Sequence, residues 1–132
     1  MRKLIAAVFG LGLLLMALAQ GRLFRRYIVD GRSMLRAYAP GDRLVVEAVS
    51  YRLRPPRIGE AVVLRQPAGE GRLHLKRIAA GPGAEVTVLD APDFLGKDEW
   101  YVLGDNLDES TDSREIGPVK TADIVGRVWF RY

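Results

Sequence analysis

The 132-residue chain has no cysteine and a single histidine, His74. The lack of thiols excludes a cysteine nucleophile, disulfide staples and thiolate metal sites, while leaving an oxidising compartment possible. One histidine without clustered carboxylates offers none of the usual zinc-ligand spacings, so no metal or other cofactor is expected. Serine and lysine are scarce: Ser33, Ser50, Ser110 and Ser113, and Lys3, Lys76, Lys97 and Lys120. Arginine occurs sixteen times, so a solvated positive charge is ordinarily supplied by a side chain that keeps its proton. The net charge of +4 falls to about +2 without Arg2 and Lys3, and the charges are interspersed, which argues against a nucleic-acid partner.

What is present begins with a membrane-directed segment. Met1-Arg2-Lys3 is basic, and Leu4 to Ala19 carries no charge and no strong hydrogen-bonding side chain. Those sixteen residues span about 24 Å as a helix, less than the roughly 30 Å hydrocarbon core, so crossing draws in Gln20 to Phe24 with Arg22 snorkelling outward. Residues 1–24 are therefore expected to be an anchor in a lipid bilayer, and 25–132 one small domain. Ala17-Leu18-Ala19 before Gln20 also fits the end of a cleavable secretory signal. Flanking charges leave topology open, and Arg22, Arg25 and Arg26 suit anionic headgroups. Fourteen residues from Ala19 to Ser33 reach at most about 50 Å, which keeps Ser33 near the membrane.

Beyond Tyr27, short β-branched and apolar runs predict strands over 43–49, 60–65, 72–79, 85–89, 100–103 and 124–132. Turn chemistry separates them at Pro40-Gly41-Asp42, Pro55-Pro56, Ile58-Gly59, Pro67-Ala68-Gly69, Gly81-Pro82-Gly83 and Gly104-Asp105-Asn106. With no second long helix, the pattern predicts a mainly β fold: a compact antiparallel barrel or sandwich with one N-terminal membrane helix. Tyr27, Ile28, Trp129 and Phe130 are candidates for an interfacial patch.

Two stretches invite chemistry. In Leu73-His74-Leu75-Lys76-Arg77-Ile78 a lysine sits among apolar residues, and burial would lower its pKa toward that of a neutral base. In Val29-Asp30-Gly31-Arg32-Ser33-Met34 an apolar run gives way to a turn, where a hydroxyl can be both fixed and accessible. Singly, each has an ordinary explanation: a snorkelling strand lysine and a turn serine. Strand alternation puts Leu73 and Leu75 opposite Lys76, so its burial must come from elsewhere, Val29 and Met34 being candidates.

Together with Gly41-Asp42, Pro82-Gly83, Gly104-Asp105-Asn106 and Ser110-x-Asp112-Ser113-Arg114, these stretches occur in one order that resembles the bacterial type I signal peptidase (leader peptidase) family. The resemblance implies a serine endopeptidase held in the bacterial cytoplasmic membrane by a single pass, with its catalytic domain on the extracytoplasmic, periplasmic side. Such enzymes remove signal peptides from exported preproteins after A-x-A sites. By motif, Ser33 matches the nucleophile, Lys76 the general base and Ser110 the serine that orients the lysine. Asp105 and Arg77 match a bracing pair, and Asp112 and Arg114 further supports. The Ser33 N–H, with a backbone N–H at Gly31, would serve the oxyanion, and Val29, Met34 and Leu75 would wall the small-residue pockets. Arg36 stands where the family has proline, and Ala84 where it commonly has aspartate. Rival readings are a Ser-His-Asp hydrolase using His74, a Ser-Lys peptidase dedicated to a conjugation or pilus subunit or to self-cleavage, and a non-catalytic membrane-tethered β module.

Overall fold

The computed structural model describes residues 1–66 and 69–132, with the side chains of Ala19 and Gln20 left aside. The turn expected at Pro67-Ala68 lies outside the described residues. Helix α1 (Arg2–Leu23) is 22 residues long, with none of its described side chains buried, and is long and apolar enough to cross a membrane. It runs straight into strand β1 (Phe24–Ile28), which pairs antiparallel with β2 (Arg43–Glu47). After β2 come a single turn of helix, α2 (Ser50–Leu53), then β3 (Ala61–Arg65) and β4 (Leu73–Ala80). The hairpin β5 (Glu85–Val88) and β6 (Ala91–Phe94) stands apart as a two-stranded sheet. Strand β7 (Glu99–Leu103), a 3-10 turn (Leu107–Glu109), α3 (Ser113–Ile116), β8 (Val119–Lys120) and β9 (Ile124–Arg131) complete the chain.

Seven strands form one antiparallel sheet in the order β1-β2-β9-β3-β4-β7-β8. Every strand expected from the sequence is present, and the architecture is a curled antiparallel sheet, a half-barrel, with one apolar helix. Three unanticipated strands have local reasons. β1 carries Arg25 and Arg26 and adjoins an apolar run, so it reads as an extension of the helix until β2 pairs with it. β6 contains Pro92 and Asp93, both poor strand residues, and is held only by β5 across the left-handed pair Leu89 (φ 47) and Asp90 (φ 64), a hairpin turn made without glycine. β8 is two residues long, and its pairing with Glu99 and Trp100 defines it.

Strand β3 is buried on both faces. Ala61 and Val63 join Val29, Met34, Leu44, Val46 and Leu75 on one side, while Val62 and Leu64 join Ile78, Trp100, Val102 and Val119 on the other. Bulges at Val45/Val46, Val63/Leu64 and Ile78/Ala80 add twist to the sheet. β2 and β9 approach so closely at Gly126 that an added Cβ would lie 2.5 Å from the Glu47 carbonyl oxygen. Beside that crossing the buried Glu47 carboxylate accepts from the Ser50 hydroxyl (2.6 Å), the Ser50 N–H (2.9 Å) and Arg127 Nε, tying α2 to β9. Burial alone would push this carboxyl up, but Ser50 and Arg127 outweigh it and hold it below the usual range.

Trp129 and Phe130, with Ile28 on the nearby edge strand, are exposed rather than packed in the core. Trp129 rests against Phe24 with ring centroids 5.7 Å apart. Tyr27, in contrast, is half-buried and lines the cleft described below.

Gly126→Ala is expected to destabilise the fold by about 1–3 kcal/mol through overpacking against rigid backbone. The urea midpoint should fall with an unchanged slope; an unaltered midpoint would mean that the β2–β9 crossing is not tight.

Candidate active site

A cleft of about 290 Å³ opens beside β4 and brings together Ser33 and Lys76, forty-three positions apart in sequence. The loop after β1 supplies the serine. Val29 ties this loop to the β2 side, its N–H donating to the Asp42 carbonyl (2.9 Å) and its carbonyl accepting from Gly41 (2.8 Å). The Ser33 carbonyl accepts from the Asn106 N–H (2.8 Å), the Arg32 carbonyl from the Asn106 side-chain amide (3.1 Å), and Arg32 forms an ion pair with Glu109 (2.7 Å). Ser33 is thereby pinned to the segment that follows β7, while its own N–H has no hydrogen-bond partner among the described residues. Gly31 also lines the cleft.

Lys76 lies opposite Val62 in the β3–β4 register and is only 6% exposed. Burial is the largest influence on its amine and pulls the pKa down from 10.5; the Arg114 charge pulls the same way and the Asp112 charge opposes them. Asp112 is itself fully buried. Its Oδ2 accepts from the Ser110 hydroxyl (2.8 Å) and the Gly104 N–H (3.0 Å), and its Oδ1 from Arg114 Nε (2.8 Å). Burial would raise this carboxyl, but Arg114, Gly104 and Ser110 together hold it below its ordinary value, an anion within reach of the lysine. Arg114 Nη2 also donates to the Leu107 carbonyl (2.7 Å), which locks the 3-10 turn onto α3.

Arg77 grips Asp105 through two parallel bonds, Nε to Oδ1 (2.8 Å) and Nη2 to Oδ2 (2.7 Å), and reaches the Gly59 carbonyl with Nη1 (2.9 Å). The Asp105 N–H in turn points at Met34 Sδ (3.4 Å). Bidentate geometry of this kind fixes direction as well as distance.

The three expected pocket walls divide. Leu75 reaches both the cleft and the core, whereas Val29 and Met34 are core residues beneath it, 4% and 1% exposed, outside the cleft lining. Tyr27 and Leu73 supply apolar wall instead. His74 also lines the cleft; burial first, then the charges of Lys76 and Arg72, lower its pKa, and Asp30 opposes them. His74 makes no hydrogen bond to a carboxylate among the described residues.

Several positions were not singled out from the sequence. Ser113 is fully buried and its hydroxyl accepts the Val102 N–H (2.9 Å), closing the end of β7. Gly104 packs so tightly that an added Cβ would meet Ser110 and lie 2.6 Å from the Ser33 carbonyl oxygen. Asn106 and the Arg32–Glu109 pair hold the serine loop. The only sequence signal was their place in or beside the Gly104–Asn106 and Ser110–Arg114 blocks and, for Arg32, in the Val29–Met34 stretch.

Comparison with known proteins places the chain in a family. The family model described as "Signal peptidase, peptidase S26" matches residues 1–95 and 87–132. The "Probable signal peptidase I-1" of Synechocystis sp. is 30% identical over 155 residues, covering 91% of this chain and 79% of that protein. Signal peptidase I of Bacillus caldolyticus is 30% identical over 147 residues, covering 83% of this chain and 80% of its own length. Thylakoidal processing peptidase 1 of Arabidopsis thaliana is 30% identical over 137 residues, of which this chain spans 40% of the relative's length. The chain belongs to the signal peptidase family, peptidase S26.

Proposed function

We propose that this chain is a membrane-anchored serine endopeptidase that removes signal peptides from preproteins after A-x-A sites. The observation that carries the reading is a buried lysine sharing one cleft with a loop serine. Residues 1–24 act as anchor and 25–132 as the peptidase domain, consistent with α1 ending at Leu23 where β1 begins. The enzyme sits in the bacterial cytoplasmic membrane, a single pass, with the cleft on the extracytoplasmic side, meeting a substrate whose apolar segment is still in the lipid bilayer.

In the first step the Ser33 hydroxyl attacks the scissile carbonyl while the neutral Lys76 amine accepts its proton. The oxyanion takes the free Ser33 N–H, with a backbone N–H at Gly31 as the second donor. As the intermediate collapses, the ammonium returns the proton to the departing amine of the mature chain, leaving the signal peptide esterified to Ser33. Water, deprotonated by Lys76, then releases it and regenerates the serine.

The surroundings serve the base. With its hydrogen given to Asp112, the Ser110 hydroxyl presents only lone pairs, so toward Lys76 it can only accept an N–H, leaving the amine's lone pair for Ser33. Arg114, paired with Asp112, offsets part of that carboxylate's pull toward the ammonium, and burial outweighs the rest. Arg77 and Asp105 brace the segment carrying Asn106, which holds the Ser33 loop. Tyr27, Leu73 and Leu75 meet small apolar substrate residues, with Val29 and Met34 supporting them from below.

Cleavage of a preprotein bearing an A-x-A site should fall about a thousand-fold or more in Ser33→Ala and in Lys76→Ala. His74→Ala should stay active; the reverse pattern would transfer the base role to histidine. Activity requires the neutral amine, so kcat/KM should rise with pH through the lowered Lys76 pKa and fall away below it. Arg114→Gln removes a charge that disfavours the ammonium and unscreens Asp112, both of which raise the lysine pKa, so the acid limb should move to higher pH. A limb that stays in place would detach Lys76 from the profile.

Because the folded pKa of Lys76 is depressed, the unfolded chain binds more protons between that value and 10.5, and its burial costs stability throughout the neutral range. Lys76→Met should therefore raise Tm near neutral pH while abolishing cleavage. The gain should shrink as pH rises toward 10.5; a lower Tm would show that the amine is not desolvated.

A further inference from the structure

A groove of about 380 Å³ lies between the last turns of α1 and the short helix α2, lined by Leu15, Leu18, Arg22, Leu23 and Arg52. Neither arginine has a carboxylate partner among the described residues, although six others in the chain do, and no acidic side chain lines the groove. Leu53, next to Arg52, is 85% exposed. The 22 residues of α1 make about 33 Å of helix, roughly the hydrocarbon thickness, so Arg22 in its last turn comes to the level of lipid phosphates.

We propose that this groove seats one anionic phospholipid, its phosphodiester held by Arg22 and Arg52 and its acyl chains lying along Leu15, Leu18 and Leu23. Guanidinium forks match phosphate oxygens two at a time, and the leucines match the apolar remainder of the same molecule. The C-terminal end of α1 carries partial negative charge, which opposes an anion. Its Leu23 carbonyl is already bonded by the Ala48 N–H (2.8 Å), and two full positive charges outweigh what remains. A lipid bound here links α1 to α2 directly, adding to the covalent tie through β1 and the Ala48–Leu23 hydrogen bond. The proposal requires α1 to lie in a bilayer and is independent of the Ser33 and Lys76 chemistry.

The test uses the full chain carrying Ser33→Ala, which keeps α1 attached even if the wild-type protein trims itself. The protein is reconstituted in nanodiscs of phosphatidylcholine containing phosphatidylglycerol, extracted into detergent, and its retained lipids are counted by native mass spectrometry. One phosphatidylglycerol should be kept in preference to phosphatidylcholine. Arg22→Gln and Arg52→Gln should each weaken retention about five-fold, the effect of one arginine near an anionic surface. Arg52→Lys should keep most of it, and Arg65→Gln, an exposed strand end outside the groove, should change nothing. Equal retention of the two lipids, undiminished retention in the double Arg22→Gln/Arg52→Gln protein, or displacement by inorganic phosphate would each overturn the proposal. Failure of the chain to enter nanodiscs would overturn it together with the anchor; loss of peptidase activity would not bear on it.

Discussion

Burying an amine takes it out of water and lowers its pKa, and the base role we propose for Lys76 rests on that desolvation. An isolated carboxylate next to the amine would stabilise the ammonium and defeat the purpose. A site with no polar group nearby would leave the lone pair unoriented. Asp112 is fully buried and bonded by Arg114, Gly104 and Ser110; its charge still favours the ammonium, Arg114 offsets part of it, and burial outweighs the remainder. Burial remains the largest influence on the amine.

This arrangement constrains the backbone over a long stretch of sequence. Gly104 must be glycine because Ser110 and the Ser33 carbonyl both occupy the space of a side chain there. Asn106, two residues on, holds the Ser33 loop, and Asp105 between them is fixed by Arg77 from the strand that carries the lysine. Adjacent residues of β4 thus divide the work. Lys76 faces the cleft as base, in our reading, while Arg77 braces the loop that positions the nucleophile. Strand alternation keeps the guanidinium's charge off the amine.

The membrane enters the same mechanics from the other end. The helix passes into β1 without a linker, and β1 leads within five residues of its end to Ser33. Exposed Trp129, Phe130 and Ile28 and the arginines at the helix end lie on the strands nearest the anchor, where amphipathic side chains are at home. The groove between α1 and α2 belongs to this boundary, and its chemistry differs from that of the cleft: an apolar floor with two arginines that lack a carboxylate partner among the described residues, in place of a buried amine.

The amino-acid sequence by itself determined the class of fold and pointed to the two residues proposed to react. Apolar length marked the helix, alternation and turn residues marked six strands, and the scarcity of lysine and serine drew attention to Lys76 and Ser33. It did not reveal β1, β6 or β8, because a strand rich in arginine, one containing proline, and one of two residues exist only through their partners. Nor did it separate core from cleft. Val29, Met34 and Leu75 are alike in apolar character, yet only Leu75 reaches the cleft, since that depends on how the sheet curls at its bulges and at Gly126. The depth of Lys76 was likewise a tertiary decision. Its burial was not legible from Leu73 and Leu75, which alternate onto the other strand face, and the charges that act on it, Asp112 and Arg114, come from a segment distant in the chain.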